Sequence, residues 1–243
     1  MSNKCGKSSS KKKHNGWQKW LLCGFVSFVV GVIVGCISLL LVAYYIGEEQ
    51  EEQDELLKKP VIYLYPEEKT NVDVSLDLKD GKLTSVYPKY YKDGWHITAE
   101  SDGTLYDSDG QSYNYLYWEA EANMDFDFST GYCVEGSDTA TFLEEKLLDL
   151  GLTRREANEF IVYWLPQMER NSYNIISFQT NAYTDSAKLT VNPKPNTLIR
   201  VYMAYYGSDK AVNIAEPKKE ETPNRNGFTV VEWGGSEVCR SDR

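Results

Sequence analysis

Leu21 to Ile46 is a run of 26 residues without a charge, and it follows a stretch that holds lysines and no acid. Nothing else in the chain narrows its architecture as much. As a helix the run extends about 39 Å against a hydrocarbon core of about 30 Å, and a tilt absorbs the difference. Trp17 and Trp20 before it and Tyr44 and Tyr45 near its end suit the two headgroup regions. Lys4, Lys7, Lys11, Lys12, Lys13 and Lys19 all precede it, so the positive-inside rule keeps the N-terminus cytoplasmic and exports the remainder. The expected organisation is a basic cytoplasmic tail over 1–20, a transmembrane helix over 21–46 and an acidic stalk over 47–59. An extracytoplasmic domain over 60–235 and a tail over 236–243 follow.

Two other readings of the run compete. A cleaved signal peptide has a shorter apolar core, and Val42-Ala43-Tyr44 is a poor cleavage site. Ile33-Val34-Gly35-Cys36 is similar to a loose bacterial lipobox, but the chain stays apolar for ten residues beyond Cys36. Within the run Ser27, Gly31 and Gly35 stand four apart, a small-residue ridge that allows close helix approach and hence a homodimer. Glycine is also simply common in membrane helices.

The charge is divided unevenly. Those six lysines are the only charged residues before position 48, leaving 20 basic against 36 acidic residues, or −16, over 48–243. Such a domain is repelled by phosphate backbones, which excludes nucleic acid as a partner. His14 and His96 are the only histidines, which rules out multi-histidine metal sites. Only Cys133 and Cys239 lie beyond the run, and nothing in the sequence brings them together.

After Pro60 the pattern is mostly β. Val72, Val74, Leu76 and Leu78 alternate with polar residues, the period of a half-buried strand. Asp-Gly pairs at 80–81, 93–94, 102–103 and 109–110 are hairpin signals and suggest an antiparallel meander. Asp107-Ser108-Asp109-Gly110 lacks the outer acids of a calcium loop, since Leu105 and Leu116 hold those positions, and reads as a turn. Helical spacing of Phe142, Leu143, Leu147 and Leu150 ends at Gly151. Thr153 and Glu156 then form a capping box for a second helix, expected to stop near Pro166. Strand-like runs resume at 173–179, 188–191, 197–206 and 228–233, with a mobile loop expected over 216–226. The best fit is a mainly β, antiparallel β-sandwich-like domain with an inserted helical hairpin.

The stretch 112–129 carries the most chemistry. Leu116, Trp118, Ala120, Ala122, Met124, Phe126 and Phe128 form a core face. Tyr113, Tyr115, Tyr117, Glu119, Glu121, Asn123, Asp125 and Asp127 form the opposite face, through one long strand or a hairpin. Aromatic rings beside carboxylates suit a sugar-binding platform, and Glu119, Glu121 and Asp125 offer hard oxygens to Ca²⁺. Alternate strand acids also match the spacing of an inverting glycosidase, as any such pair does. The plainer account makes the tyrosines strand formers and the acids solubilising. Arg200, inside the apolar run Leu198–Met203, requires a buried partner, for which Glu119, Glu144 and Glu169 are candidates. His96 reads as a strand surface residue.

Lys59-Pro60-Val61-Ile62-Tyr63-Leu64-Tyr65-Pro66 resembles the opening segment of a group of mostly bacterial, exported or anchored proteins, with Tyr113–Glu119 and Tyr163–Asn171 similar in kind. The resemblance implies a domain unit over about 59–206 and transfers no functional residue. The expected function is a non-enzymatic binding module, with cell-envelope glycan as the candidate ligand, a carboxylate-pair hydrolase or a ligand sensor as alternatives, and no cofactor required.

Overall fold

The structure, a computed structural model, describes residues 31–40, 55–122, 124–179, 181–219 and 221–238. The chain divides into two units, 1–52 and 53–243. In the first, residues 31–40 are helical (α1) and exposed. Gly31 and Gly35 lie one turn apart there, and a Cβ added to either meets nothing within 4 Å. No helix among the described residues is long and apolar enough to cross a membrane. Most of the run 21–46, Ser27 included, lies outside the described residues, as do the tail 1–20, residues 47–54 of the stalk and Cys239. Replacing Gly31 and Gly35 together by Leu is expected to abolish any self-association of the full chain in membranes, measured by energy transfer between labelled copies. Unchanged transfer would remove the ridge as an association surface.

The second unit is mainly β, built as two sheets rich in antiparallel pairs. In chain order its elements begin with β1 (Glu55–Tyr65), β2 (Thr70–Leu78), β3 (Gly81–Tyr87), β4 (Trp95–Ala99), β5 (Leu105–Tyr106), β6 (Ser112–Tyr113), β7 (Leu116–Ala122) and β8 (Tyr132–Glu135). The helices α2 (Thr139–Asp149) and α3 (Arg154–Met168) follow, then β9 (Tyr173–Gln179), α4 (Asn181–Ser186), β10 (Ala187–Asn192), β11 (Thr197–Ser208) and β12 (Thr229–Glu237). One sheet runs β3-β7-β1-β12-β11-β9-β8 and the other β10-β2-β4-β5-β6. Among the named strands of the described residues, β11 and β12 are the one parallel pair.

The segment Val61-Ile62-Tyr63-Leu64 explains its own composition. Ile62 and Leu64 pack with Val72, Trp95 and Leu105 of the second sheet, while Val61 and Tyr63 pack with Phe160 and Trp164 of α3. A strand buried on both faces reads as continuous apolar sequence rather than alternation. The expected stalk therefore ends early: β1 starts at Glu55, and Leu57 is fully buried. Likewise β12 runs to Glu237, so the expected tail gives Ser236 to the core.

Local signals fare unevenly. The Thr153–Glu156 capping box is present in both directions. Pro166 lies inside α3, which continues to Met168 rather than stopping before it. Asp-Gly 102–103 and 109–110 do connect the paired strands β4-β5-β6. Asp80-Gly81 instead passes the chain from one sheet to the other, because β2 pairs with β4 and β3 with β7. Strand β7 ends at Ala122, so 112–129 is neither one long strand nor a hairpin, although Met124 remains buried and Phe126 packs on the core.

Candidate functional site

The face expected to be a tyrosine–carboxylate platform is split among several environments. Tyr113 belongs to β6 in the second sheet, where its hydroxyl donates to Asp107 Oδ2 at 2.7 Å. Tyr115 lies edge-on to Tyr63, ring centres 5.4 Å apart. Tyr117 is half-buried, and burial above all pushes its hydroxyl up to about 12. Glu119 has a structural duty. The register of β1 slips between Lys58 and Val61, with Lys59 at φ +53°, and the N–H of Lys59 donates to Glu119 Oε1 at 3.2 Å. The Lys59 ammonium stands 5.0 Å from the centre of the Tyr163 ring on α3. Glu121 and Asp125 are exposed, the latter beyond the end of the strand. Tyr115 and Tyr117 pack against the core beneath the helices, so these residues make no continuous open ledge. Among the described residues no group of three or more His, Cys, Asp and Glu is placed to hold a metal ion.

Arg200 is buried with a carboxylate partner, as its setting requires, but the partner is none of the three expected. Parallel register places Glu232 of β12 directly opposite, with Arg200 Nε 2.6 Å from Glu232 Oε2. Trp118 Nε1 donates to Glu232 Oε1 at 3.2 Å, and the guanidinium lies 4.5 Å over the Tyr183 ring. Burial opposes the arginine's charge, and Glu232 more than restores it, so its pKa ends above the ordinary value. Glu144 instead bonds to Arg154. Glu232, a lone acid in an apolar run, carried the same signal as Arg200 itself.

The polar constellation that does face solvent lies on the outer side of the second sheet. Register sets Asp73 of β2 opposite His96 of β4. His96 Nδ1 is 2.7 Å from Asp73 Oδ1, and Nε2 is 3.2 Å from Asp93 Oδ1. Hydrogen bonds to Asp73 and then Asp93 raise the imidazole pKa, and the bonds to His96 lower those of both aspartates. With a carboxylate oxygen on each ring nitrogen, the imidazolium is the form that satisfies all three groups. Thr98 Oγ1 donates to Asn71 Oδ1 at 2.8 Å one step along the strands. Asp107 Oδ1 accepts from the N–H groups of Asp109 and Gln111, closing the turn read from sequence.

Two hollows of about 180 and 210 Å³ adjoin on this face and share His96, Ile97, Asp107 and Ser108. Tyr91 lines the first, and Tyr106 and Asn71 the second. Sequence reading put His96 on a strand surface but assigned it no neighbours. The alternation of Asn71 with Asp73 and of His96 with Thr98 marks a polar face. Which residues stand opposite each other depends on pairing register, which no local pattern specifies.

The fold and this face define a two-sheet, mainly β domain carrying a polar cleft outside its core. The chain is similar to the "uncharacterized protein in bglA 3′ region" of Butyrivibrio fibrisolvens, 38% identical over 99 residues that cover 40% of this chain and 91% of that protein. It belongs to the same family. No family model and no solved structure matches it.

Proposed function

We propose that the chain is a single-pass, membrane-anchored binding module whose β-sandwich-like domain takes a cell-envelope glycan on the outer face of its second sheet. The observation that carries this reading is the pair of adjoining hollows around His96, each with a tyrosine and fixed hydrogen-bonding groups. Tyrosine rings cover the C–H faces of a sugar, while carboxylates and amides held by their neighbours receive its hydroxyls without further ordering cost. Asp73, Asp93 and Asp107 outnumber the cations Lys89 and His96 here and disfavour a polyanion, so the fitting ligand is a neutral sugar chain. The apolar run 21–46 supplies the anchor, and the lysines before it the cytoplasmic N-terminus.

The test uses the full chain in detergent on an array of neutral and acidic oligosaccharides, including peptidoglycan fragments. A neutral sugar should bind, and Tyr91→Ala/Tyr106→Ala should lose about tenfold or more in affinity with an unchanged circular dichroism spectrum. An array without a hit, or a double variant that binds as well, overturns the assignment. A hydrolase built on Glu119, Glu121 and Asp125 has weaker support, because Glu119 is engaged with the β1 bulge and the three carboxylates do not share a cleft.

A further inference from the structure

We infer that this domain also binds an extended, acidic peptide segment as an added strand beside the first half of β11. β9 accompanies only the second half of β11, with pairs from Ser208↔Tyr173 to Tyr202↔Gln179. From Asn181 the chain is helical in α4 instead. Had the register continued, residues 181 and 183 would stand opposite Arg200 and Leu198.

On its other side β11 pairs with β12, and Thr197 N donates to Phe228 O at 3.1 Å. Main-chain groups alternate sides along a strand, so Thr197, Ile199 and Val201 turn theirs to β12. Those of Leu198 and Arg200 point to the vacated side, where no described residue bonds to them. The space there is a groove of about 510 Å³ bordered by Leu198, Ile199, Arg200 and Val201 in succession. Consecutive side chains lie on opposite faces of a strand, so four in a row border one groove only along the strand's edge. Leu198 is 47% exposed, an apolar residue that a guest strand would cover.

A slot of this size admits a few residues of isolated strand, not the edge of a second folded copy. Its lining also differs from the rest of the domain in charge. With Arg200 already paired to Glu232, Lys146, Lys218 and Lys219 balance Asp127, Asp149 and Glu221 there, in a domain where acids outnumber bases 36 to 20. An acidic segment therefore meets less repulsion here than elsewhere, together with three ammonium groups. Main-chain bonds to Leu198 and Arg200 would fix register, as in other strand-addition sites.

A phage-displayed random heptapeptide library selected on the full chain in detergent tests this. Selected peptides should be rich in Asp and Glu and should slow amide exchange at Leu198 and Arg200. N-methylation at alternate peptide positions should weaken binding by about tenfold or more in one phase and little in the other, because only one set of N–H groups faces β11. Leu198→Pro removes a donor pointing into the groove and no bond to β12, and it should weaken binding similarly. If that variant misfolds, Lys218→Glu/Lys219→Glu should still reduce binding of the acidic peptides. An absence of selected peptides, protection at other amides, or indifference to N-methylation phase overturns the inference. These outcomes are independent of whether any sugar binds at His96.

Discussion

Glu232→Ala is expected to cost about 3–5 kcal/mol of stability, the usual consequence of removing one partner from a buried ion pair. Glu232 is fully buried, and the Arg200 side chain is 8% exposed. Without Glu232 the guanidinium keeps its charge, because no neighbour can take its proton and arginine stays protonated at any ordinary pH. Trp118 also loses the acceptor for its indole N–H. The Tyr183 ring under the guanidinium offsets only part of this. Glu232→Gln should be nearly as damaging, since it preserves shape and an acceptor but not the charge. The double variant Arg200→Met/Glu232→Leu should recover most of the loss, because an apolar pair of similar volume carries no desolvation penalty. Urea denaturation of the full chain in detergent, followed by tryptophan fluorescence, measures all three. If Glu232→Ala unfolds within about 1 kcal/mol of the wild type, the pair does not hold these strands as described.

That pair also shows how far sequence carries. Arg200 inside Leu198–Met203 demanded a buried acid on energetic grounds alone, and one is there. Its identity followed from the parallel register of β11 and β12, two strands separated by a long loop, and no local pattern reports such a register. The core face Leu116–Met124 was legible for the complementary reason that alternation is local. What lay across from it was not: Tyr113 belongs to the second sheet, while Tyr115, two residues on, lies between strands and packs on the core cluster that contains the helices. Helices α2 and α3 were plain because spacing and the Thr153–Glu156 cap are contained within one turn or two, whereas the short α4 (Asn181–Ser186) carried no such signal and was not expected. Asp80-Gly81 has the chemistry of a hairpin turn but joins different sheets, since a turn fixes a reversal of direction and not a partner. His96 became the centre of a cleft only through Asp73, brought opposite it by pairing, and Asp93, held over it by a turn. The loop over 216–226 reads as mobile from its Pro, Lys and Glu content, and the contact that holds it comes from a distant helix.

That contact sets the second large effect. Glu156 occupies the third position of α3, fully buried, and accepts from the N–H of Thr153 at 2.7 Å as half of the capping box. The same carboxylate receives Arg225 of the loop in a two-pronged pair, at 2.8 and 3.0 Å. Arg225 also donates to the carbonyl of Gly151 and lies 5.0 Å over the Tyr65 ring. Glu156→Ala therefore loses a cap worth about 1 kcal/mol and a charge-assisted pair worth about 1.5–3 kcal/mol. Since Arg225 keeps 24% of its side chain in solvent, the combined loss should fall near 3 kcal/mol rather than at the level of Glu232. Burial raises the pKa of Glu156, but the bonds from Arg225 and Thr153 lower it further, so the net shift is downward. A depressed carboxylate stabilises the fold above its unfolded value of about 4.3, and that stability disappears as pH falls through the folded value. The stability gap between wild type and Glu156→Ala should thus be full at pH 7 and shrink below about pH 4. Freed of Arg225, the segment 209–226 should be cut by trypsin and Glu-specific protease under conditions where the wild type survives. Equal digestion of the two proteins, or a gap that does not narrow in acid, would show that the loop is held by something other than this carboxylate.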